Sequence, residues 1–173
     1  MVKRYKKYTH RYHHLFHAFF GITIGLGYAY FFAPSYWFVY SLVGAAASIL
    51  PDLEHFFYFF WFGRNDSYAQ DVKKHLMRKE FCLAVKYCAN NHKTLNGLPL
   101  HNIFTPVVLL LFAIPAHQNH LPVLAVICLS LASHYLYDIF EDLVLLGRVN
   151  SNWFFKFNVP QPQEKNSKKC NNE

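Results

Sequence analysis

Lysine and arginine are missing from the four longest apolar runs of this chain. All 17 of them fall before residue 15, between residues 64 and 93, or from residue 148 onward. Charge of either sign is scarce, at 16% of 173 residues, while apolar residues reach 53% and aromatic residues 19%. Basic residues are retained on the cytoplasmic side of a membrane, so the gaps between them place three segments inside and two short turns outside. The mean hydropathy of only +0.06 does not oppose this, because polar ends dilute the apolar runs. Cysteine is sparse as well. Cys82, Cys88 and Cys170 fall on the cytoplasmic side of this topology and Cys128 inside a span, with neither a CxxC pair nor a secreted disulfide framework, which argues against thiol chemistry. No long internal repeat is present, and the length leaves room for one compact bundle without a second domain. A formal net charge of +7 and a pI near 9.2 could point to nucleic acid. The charge sits where topology requires it, however. The expected partners are the lipid bilayer and anionic lipid at the basic cytoplasmic face, with no nucleic acid.

The pattern predicts an all-α, multi-span helical membrane protein with about four transmembrane helices: Leu15 to Ala33, Tyr36 to Leu50, Leu98 to Ala116 and Leu121 to Leu146. With a rise of about 1.5 Å per residue, the first two are roughly 28 and 23 Å long against a hydrocarbon core of about 30 Å. The second crosses fully only if the aromatic run Phe56 to Phe62 extends it past a break at Pro51. Pro34 and Ser35 make the first outer turn, Pro99 suits the first turn of the third span, and Pro106 is expected to kink it. A signal-peptide reading of the first run is disfavoured by its length, by His17 inside it and by Pro34 where a cleavage site would stand.

Residues 1–158 thus read as one helical membrane domain, with both termini cytoplasmic and a segment of about 64–93 inserted between spans two and three. In that insert Tyr68, Val72 and Leu76, then Met77, Phe81, Ala84 and Cys88, recur at helical spacing. Lys73, Lys74, Arg78, Lys79 and Lys86 fill much of the remainder. The pattern predicts an amphipathic cytoplasmic helix on the leaflet surface, with an ordinary connector as the alternative. Trp153, Phe154, Phe155 and Phe157 are expected at the interface. Residues 159–173, rich in Pro, Gln, Asn and Lys, are expected to be a disordered polar tail.

Ionisable side chains in a span cost about 2.5 to 3.5 kcal/mol each at the helix centre, so a chain that keeps several has a use for them. His17 lies near the start of span one, Asp52 and His55 just after span two, and His101 at the opening of span three. His134 and Asp138 lie in the cytoplasmic half of span four. The topology turns all six toward one membrane face. His134 and Asp138 are i, i+4 neighbours, and Asp52 and His55 are i, i+3 neighbours if helical. His17, Gly21 and Gly25 form one stripe, and Gly44, Ser48 and Asp52 another. Small residues at this spacing let helices approach closely in lipid, which is expected to hold His17 against Asp52.

Mixed imidazole and carboxylate ligands suit Zn²⁺ first, then Mn²⁺ or Fe²⁺. Six candidates exceed a mononuclear ligand set, so either two ions bind or some members are supporting partners and acid–base groups. A bound ion lowers the pKa of a coordinated water toward about 7, and Asp52 or Asp138, where not a ligand, is the candidate general base. Each residue also has a plainer reading: Asp52 as a helix cap, Asp138 paired with a lysine, a single histidine as an interfacial hydrogen-bonding group. His10, His13 and His14 are expected to be lipid-facing or solvated in a basic arm, with His14 an alternative to His17. His75 and His92 fall in the cytoplasmic segment, where His92 is a further candidate ligand. His117 and His120 flank the outer turn across the membrane. Glu54, Glu141 and Asp142 are expected to be solvated or to support ligands.

Read in order, His17-x-x-x-Gly21-x-x-x-Gly25, then Gly44 through Pro51-Asp52-x-x-His55, then Leu100-His101-Asn102, then Ser133-His134-x-x-x-Asp138 resembles the membrane-bound, YdjM-like metal-dependent hydrolases. These are also described as LexA-binding, inner-membrane-associated hydrolases. The likeness covers about residues 14 to 140. It implies a helical membrane protein with a divalent-metal site at His17, Asp52, His55, His101, His134 and Asp138. A more distant similarity is to the zinc-dependent phospholipase C group, whose helical sites use His and Asp on phosphoesters. The chain departs from the family in two places. Glu54 stands where an Asp is common, and His92 and His101 are nine residues apart where a compact H-R-G-x-T-H block is usual.

Three functions fit these residues. One is a membrane-embedded hydrolase acting at the cytoplasmic face on a phosphoester or lipid-derived substrate. Another is a non-enzymatic, metal-stapled scaffold whose basic segment recruits a partner. The third is a proton or metal transporter, against which stands the one-sided clustering, since a pathway needs polar residues through both halves of the membrane.

Overall fold

The structure, a computed structural model, describes residues 2–91, 98, 100–147, 149 and 153–154. His92, Pro99, Phe155, Phe157, Cys170 and the polar tail 159–173 lie outside the described residues, as does the side chain of His10. Every regular element among the described residues is helical.

The first helix, α1, runs unbroken from Val2 to Phe32 apart from a kink at Tyr12, whose φ of −117° and ψ of 15° leave the helical region. The residues expected to form a basic arm are therefore helical, and His13, His14 and His17 share a rigid element. A 3₁₀ turn at Pro34–Tyr36 reverses the chain into α2, Trp37–Ile49. Pro51 does not end the segment. It sits in a 3₁₀ turn, Leu50–Asp52, where the Leu53 N–H reaches the Leu50 and Pro51 carbonyls, and helix resumes as α3, Leu53–Phe57. The tighter turn absorbs the missing proline donor. A π-helical turn, Tyr58–Phe62, follows, closed by Gly63 N–H to the Tyr58 carbonyl at 2.7 Å.

The insert between spans two and three forms two helices rather than one: α4, Ser67–Met77, and α5, Phe81–Asn91, which pack on each other. Asp66 caps α4 by accepting from the Tyr68 N–H at 3.3 Å, and Lys79 breaks the run by adopting φ 60°. The break separates two halves of the apolar stripe. Tyr68, Ala69 and Val72 are buried with Tyr58, whereas Met77 and Phe81 are 85% and 61% exposed. Burial pushes the Tyr68 hydroxyl pKa up, and the Lys74 ammonium beside Asp71 holds that carboxyl below the usual range.

Helix α6, Phe104–Gln118, starts later than Leu98 because Asn102 Oδ1 accepts from the Phe104 and Thr105 N–H groups at 3.0 and 3.1 Å. Those donors have no partner inside a first turn, so a carbonyl oxygen placed there sets the start. Pro106 consequently falls in the first turn, where it is tolerated, and does not kink the helix. Helix α7, Pro122–Leu146, ends at Gly147, whose φ of 68° suits a left-handed cap.

Among the described residues, three segments are long and apolar enough to cross a membrane: Tyr12–Phe32, Pro34–Trp61 and Pro122–Val144, of 21, 28 and 23 residues. Helix α6, at 15 residues, is shorter than these and lies against α7. Helix α1 packs on α2 and α7, and α2 on α7. Small side chains are prominent in the interior, with Ala29, Ala47, Ser48, Ala125, Ser130 and Ala132 fully or almost fully buried beside larger residues such as Val126 and Tyr135, while Leu15, Phe19, Leu111, Phe112 and Phe140 face outward. This inverted arrangement is expected where lipid removes the hydrophobic drive between helices and close backbone approach replaces it. Gly21 and Gly44 meet so closely that a Cβ on either would strike the other's carbonyl oxygen.

Candidate metal centre

Helix packing brings α1, the Pro51 turn, the link before α6 and the second half of α7 to one place. Asp138 occupies the middle, 7% exposed. Its Oδ1 lies 3.3 Å from His17 Nε2 and 3.7 Å from His13 Nε2. Its Oδ2 lies 3.2 Å from His134 Nε2 and 3.6 Å from His101 Nε2. The groups His13, His17, Asp138 and His101, His134, Asp138 each offer three ligand atoms within 4.8 Å of one another and could hold a metal ion.

The hydrogen bonds around the second group decide its chemistry. His134 Nδ1 lies 2.6 Å from the Ser48 carbonyl oxygen, which can only accept, so the Nδ1–H donates there. His101 Nδ1 lies 2.6 Å from Glu54 Oε2, while Glu54 Oε1 accepts from the Leu100 N–H at 2.7 Å. Each ring therefore carries a proton on Nδ1 and, when neutral, turns an Nε2 lone pair toward Asp138. In a neutral ring, a lone pair facing a carboxylate repels it unless a proton or cation lies between. His101 Nε2, His134 Nε2 and Asp138 Oδ1 are buried without a hydrogen-bond partner, and such orphans are costly unless something else satisfies them. Ligands about 2.0–2.1 Å from one tetrahedral ion stand about 3.3–3.4 Å apart, close to the separations here. A carbonyl or carboxylate behind each imidazole is also the usual means of orienting a metal-binding histidine. The residues fit a divalent ion.

Of the six residues singled out from the sequence, the structure brings His17, His101, His134 and Asp138 into contact range. His17 and His134 rings stack at 3.8 Å between centroids. Asp52 lies at the edge, bound to His14 Nδ1 at 2.8 Å and 3.9 Å from His13 Nε2. His55 is half-buried, edge-on to the His101 ring at 5.3 Å, and belongs to neither group of three. The expected His17–Asp52 pairing is replaced by His14–Asp52. Ser48 Oγ donates to the His17 carbonyl at 2.7 Å, which sets His17 level with Ser48, a turn before Asp52.

Sequence reasoning placed His13 in lipid or solvent, yet its Nε2 is 3.0 Å from His17 Nε2 and its Nδ1 3.7 Å from Glu141 Oε1. Its i, i+4 spacing from His17 was the available signal. Glu54, Glu141 and Asp142 are buried rather than solvated, and Asp142 Oδ2 accepts from the Trp153 indole N–H at 2.8 Å. His75 pairs with Glu80 in the α4–α5 hairpin at 2.8 Å. His117, at the other end of the bundle, lies 2.8 Å from the Tyr28 hydroxyl.

Two expected outcomes follow from these contacts. Glu54→Gln puts an NH₂ where either Leu100 N–H or His101 Nδ1–H needs an acceptor. Metal affinity measured by competition with a chelating dye is expected to fall roughly 10–100-fold, and an unchanged affinity would remove Glu54 from the site's support. Trp153→Phe removes the donor to Asp142 and is expected to cost about 1–3 kcal/mol in thermal or denaturant unfolding. A shift within error would show that the indole hydrogen bond to Asp142 anchors nothing.

Together these observations define a helical protein with, among the described residues, three segments long and apolar enough to cross a membrane and a buried His/Asp cluster that could hold a metal. Comparison with protein-family models, curated proteins and solved structures gives no match.

Proposed function

We propose that the chain is a membrane-embedded, divalent-metal-dependent hydrolase whose site opens at the cytoplasmic face, acting on a phosphoester or lipid-derived substrate. The observation that carries this reading is the pair of Nδ1-anchored histidines, His101 and His134, whose free Nε2 atoms converge on buried Asp138. When bound, the ion supplies Lewis-acid charge and an activated water near neutral pH. Zn²⁺ is the preferred ion, with Mn²⁺ or Fe²⁺ as alternatives. His134 and His101, anchored through the Ser48 carbonyl and Glu54, would hold it. Asp52 stands at the partly open edge with His14, whose side chain is 70% exposed, within reach of water, where a carboxylate can take a proton. The motif likeness to YdjM-like hydrolases supports the same chemistry. In this reading α6 and the residues before it complete a fourth crossing. Both termini face the cytoplasm, and the basic segments meet anionic lipid.

Burial favours one competing reading. His17 and His134 are fully buried, as in closed structural sites, whereas catalytic sites keep an open position. A metal-stapled scaffold would lose thermal stability on chelation but have no turnover to lose. The deciding experiment assays the detergent-purified protein, loaded with Zn²⁺ or Mn²⁺, on a panel of phosphodiesters and phospholipids, with and without chelator. Turnover that disappears on chelation and returns with the ion supports the hydrolase. Metal-dependent stability with no turnover across the panel supports the staple.

A further inference from the structure

We infer that the cluster holds two ions, bridged by Asp138, with the second taken by His13 and His17 on α1. The inference rests on the reading of His101, His134 and Asp138 as a metal site and extends it. The two carboxylate oxygens of Asp138 face different histidine pairs, Oδ1 toward α1 and Oδ2 toward His134 and His101. The separations on the α1 side are 3.0, 3.3 and 3.7 Å, bracketing the roughly 3.3–3.4 Å expected between ligands of one tetrahedral ion. Asp138 Oδ1, the atom on that side, is buried and has no hydrogen-bond partner. A single ion on Oδ2 leaves it so.

Charge points the same way. Asp52, Glu54, Asp138 and Glu141 each face a histidine of the cluster, and four carboxylates in a largely buried site carry a charge that one divalent ion only halves. Two ions neutralise it. Asp52 Oδ1, 3.9 Å from His13 Nε2, adds a ligand at the open edge. The stacked His17 and His134 rings show that the two ligand groups are adjacent, and a bridging carboxylate suits the spacing of about 3.5–4 Å at which paired ions act on phosphoesters.

The test uses the full chain in detergent, loaded with Mn²⁺ alone, freed of excess ion and analysed for metal per chain and by low-temperature electron paramagnetic resonance. Two equivalents with a spin-coupled signal are expected. The His13→Ala/His17→Ala variant should fall to one equivalent and lose the coupling, and His101→Ala/His134→Ala should do the same from the other side. His13→Gln, at the cluster's edge, is a milder variant expected to lower only the second equivalent. The wild-type stoichiometry needs no variant to fold. One equivalent in the wild type overturns the second ion and leaves the proposed function standing. Two equivalents without coupling overturn the bridge. No retained metal at any loading overturns this inference and the metal-dependent reading together.

Discussion

Asp138→Asn is expected to abolish stoichiometric metal while leaving the protein folded. The carboxylate is the only residue common to both ligand groups, and an amide offers one oxygen, no charge and an NH₂ in place of the second oxygen. Outer partners of metal sites typically change affinity 10–100-fold, so loss of this central ligand should exceed about 100-fold. The metal-free protein should not suffer. The new NH₂ can donate to the His134 or His101 Nε2 lone pair, so the repulsion described above becomes a hydrogen bond. The variant should therefore unfold at the same temperature as the metal-free wild type or above it. The wild type alone should gain stability from added Zn²⁺, by about 2.7 kcal/mol when free ion reaches 100 times Kd. Thermal unfolding in detergent across a zinc titration separates the cases. A variant that shifts with zinc as the wild type does would exclude Asp138 as a ligand.

The second large effect is expected at the glycine contact. In Gly44→Ala the new methyl meets the Gly21 carbonyl, and in Gly21→Ala it meets the Gly44 carbonyl and Ser48 Oγ. Overpacking a well-filled core costs about 1–3 kcal/mol, and here the obstacle is largely backbone, so the upper part of that range is expected. Gly27 provides an internal control, because a Cβ there meets nothing within 4 Å. Gly27→Ala should be neutral or stabilising by up to about 1 kcal/mol through helix propensity. Because α1 carries His13 and His17 while α2 leads to the Pro51 turn, separating the helices should also loosen metal retention. Equal effects at Gly27 and Gly44 would mean that the close approach does not hold the bundle.

Much of this arrangement is legible in the sequence because it depends on short-range periodicity. The i, i+4 spacing places His134 and Asp138 on one face, and the structure has them 3.2 Å apart. The glycine and serine stripes mark the α1–α2 contact for the same reason: in lipid, only small side chains permit it. Proline is harder to read. Pro51 and Pro106 both look like breaks, but one falls in a 3₁₀ turn and the other in a first turn, and Asn102, four residues before Pro106, decides the latter. The insert misleads because its apolar residues keep helical spacing across Lys79, whose left-handed backbone is invisible to periodicity. His13 is misread because its neighbours are basic, although its own spacing from His17 obeys the rule applied elsewhere.

What sequence can establish here is local or topological. Lys and Arg exclusion marks the apolar runs, since a charge in hydrocarbon is costly wherever the helix goes, and helical spacing sets which residues share a face. What it cannot establish is register between helices and the assignment of single atoms. The Ser48 hydroxyl on the His17 carbonyl puts Asp52 against His14 instead of His17. Glu54 and the Ser48 carbonyl fix which nitrogen of His101 and His134 stays free. Those partners lie 47 and 86 positions apart, and no pattern along the chain encodes a contact that exists only once the helices have packed.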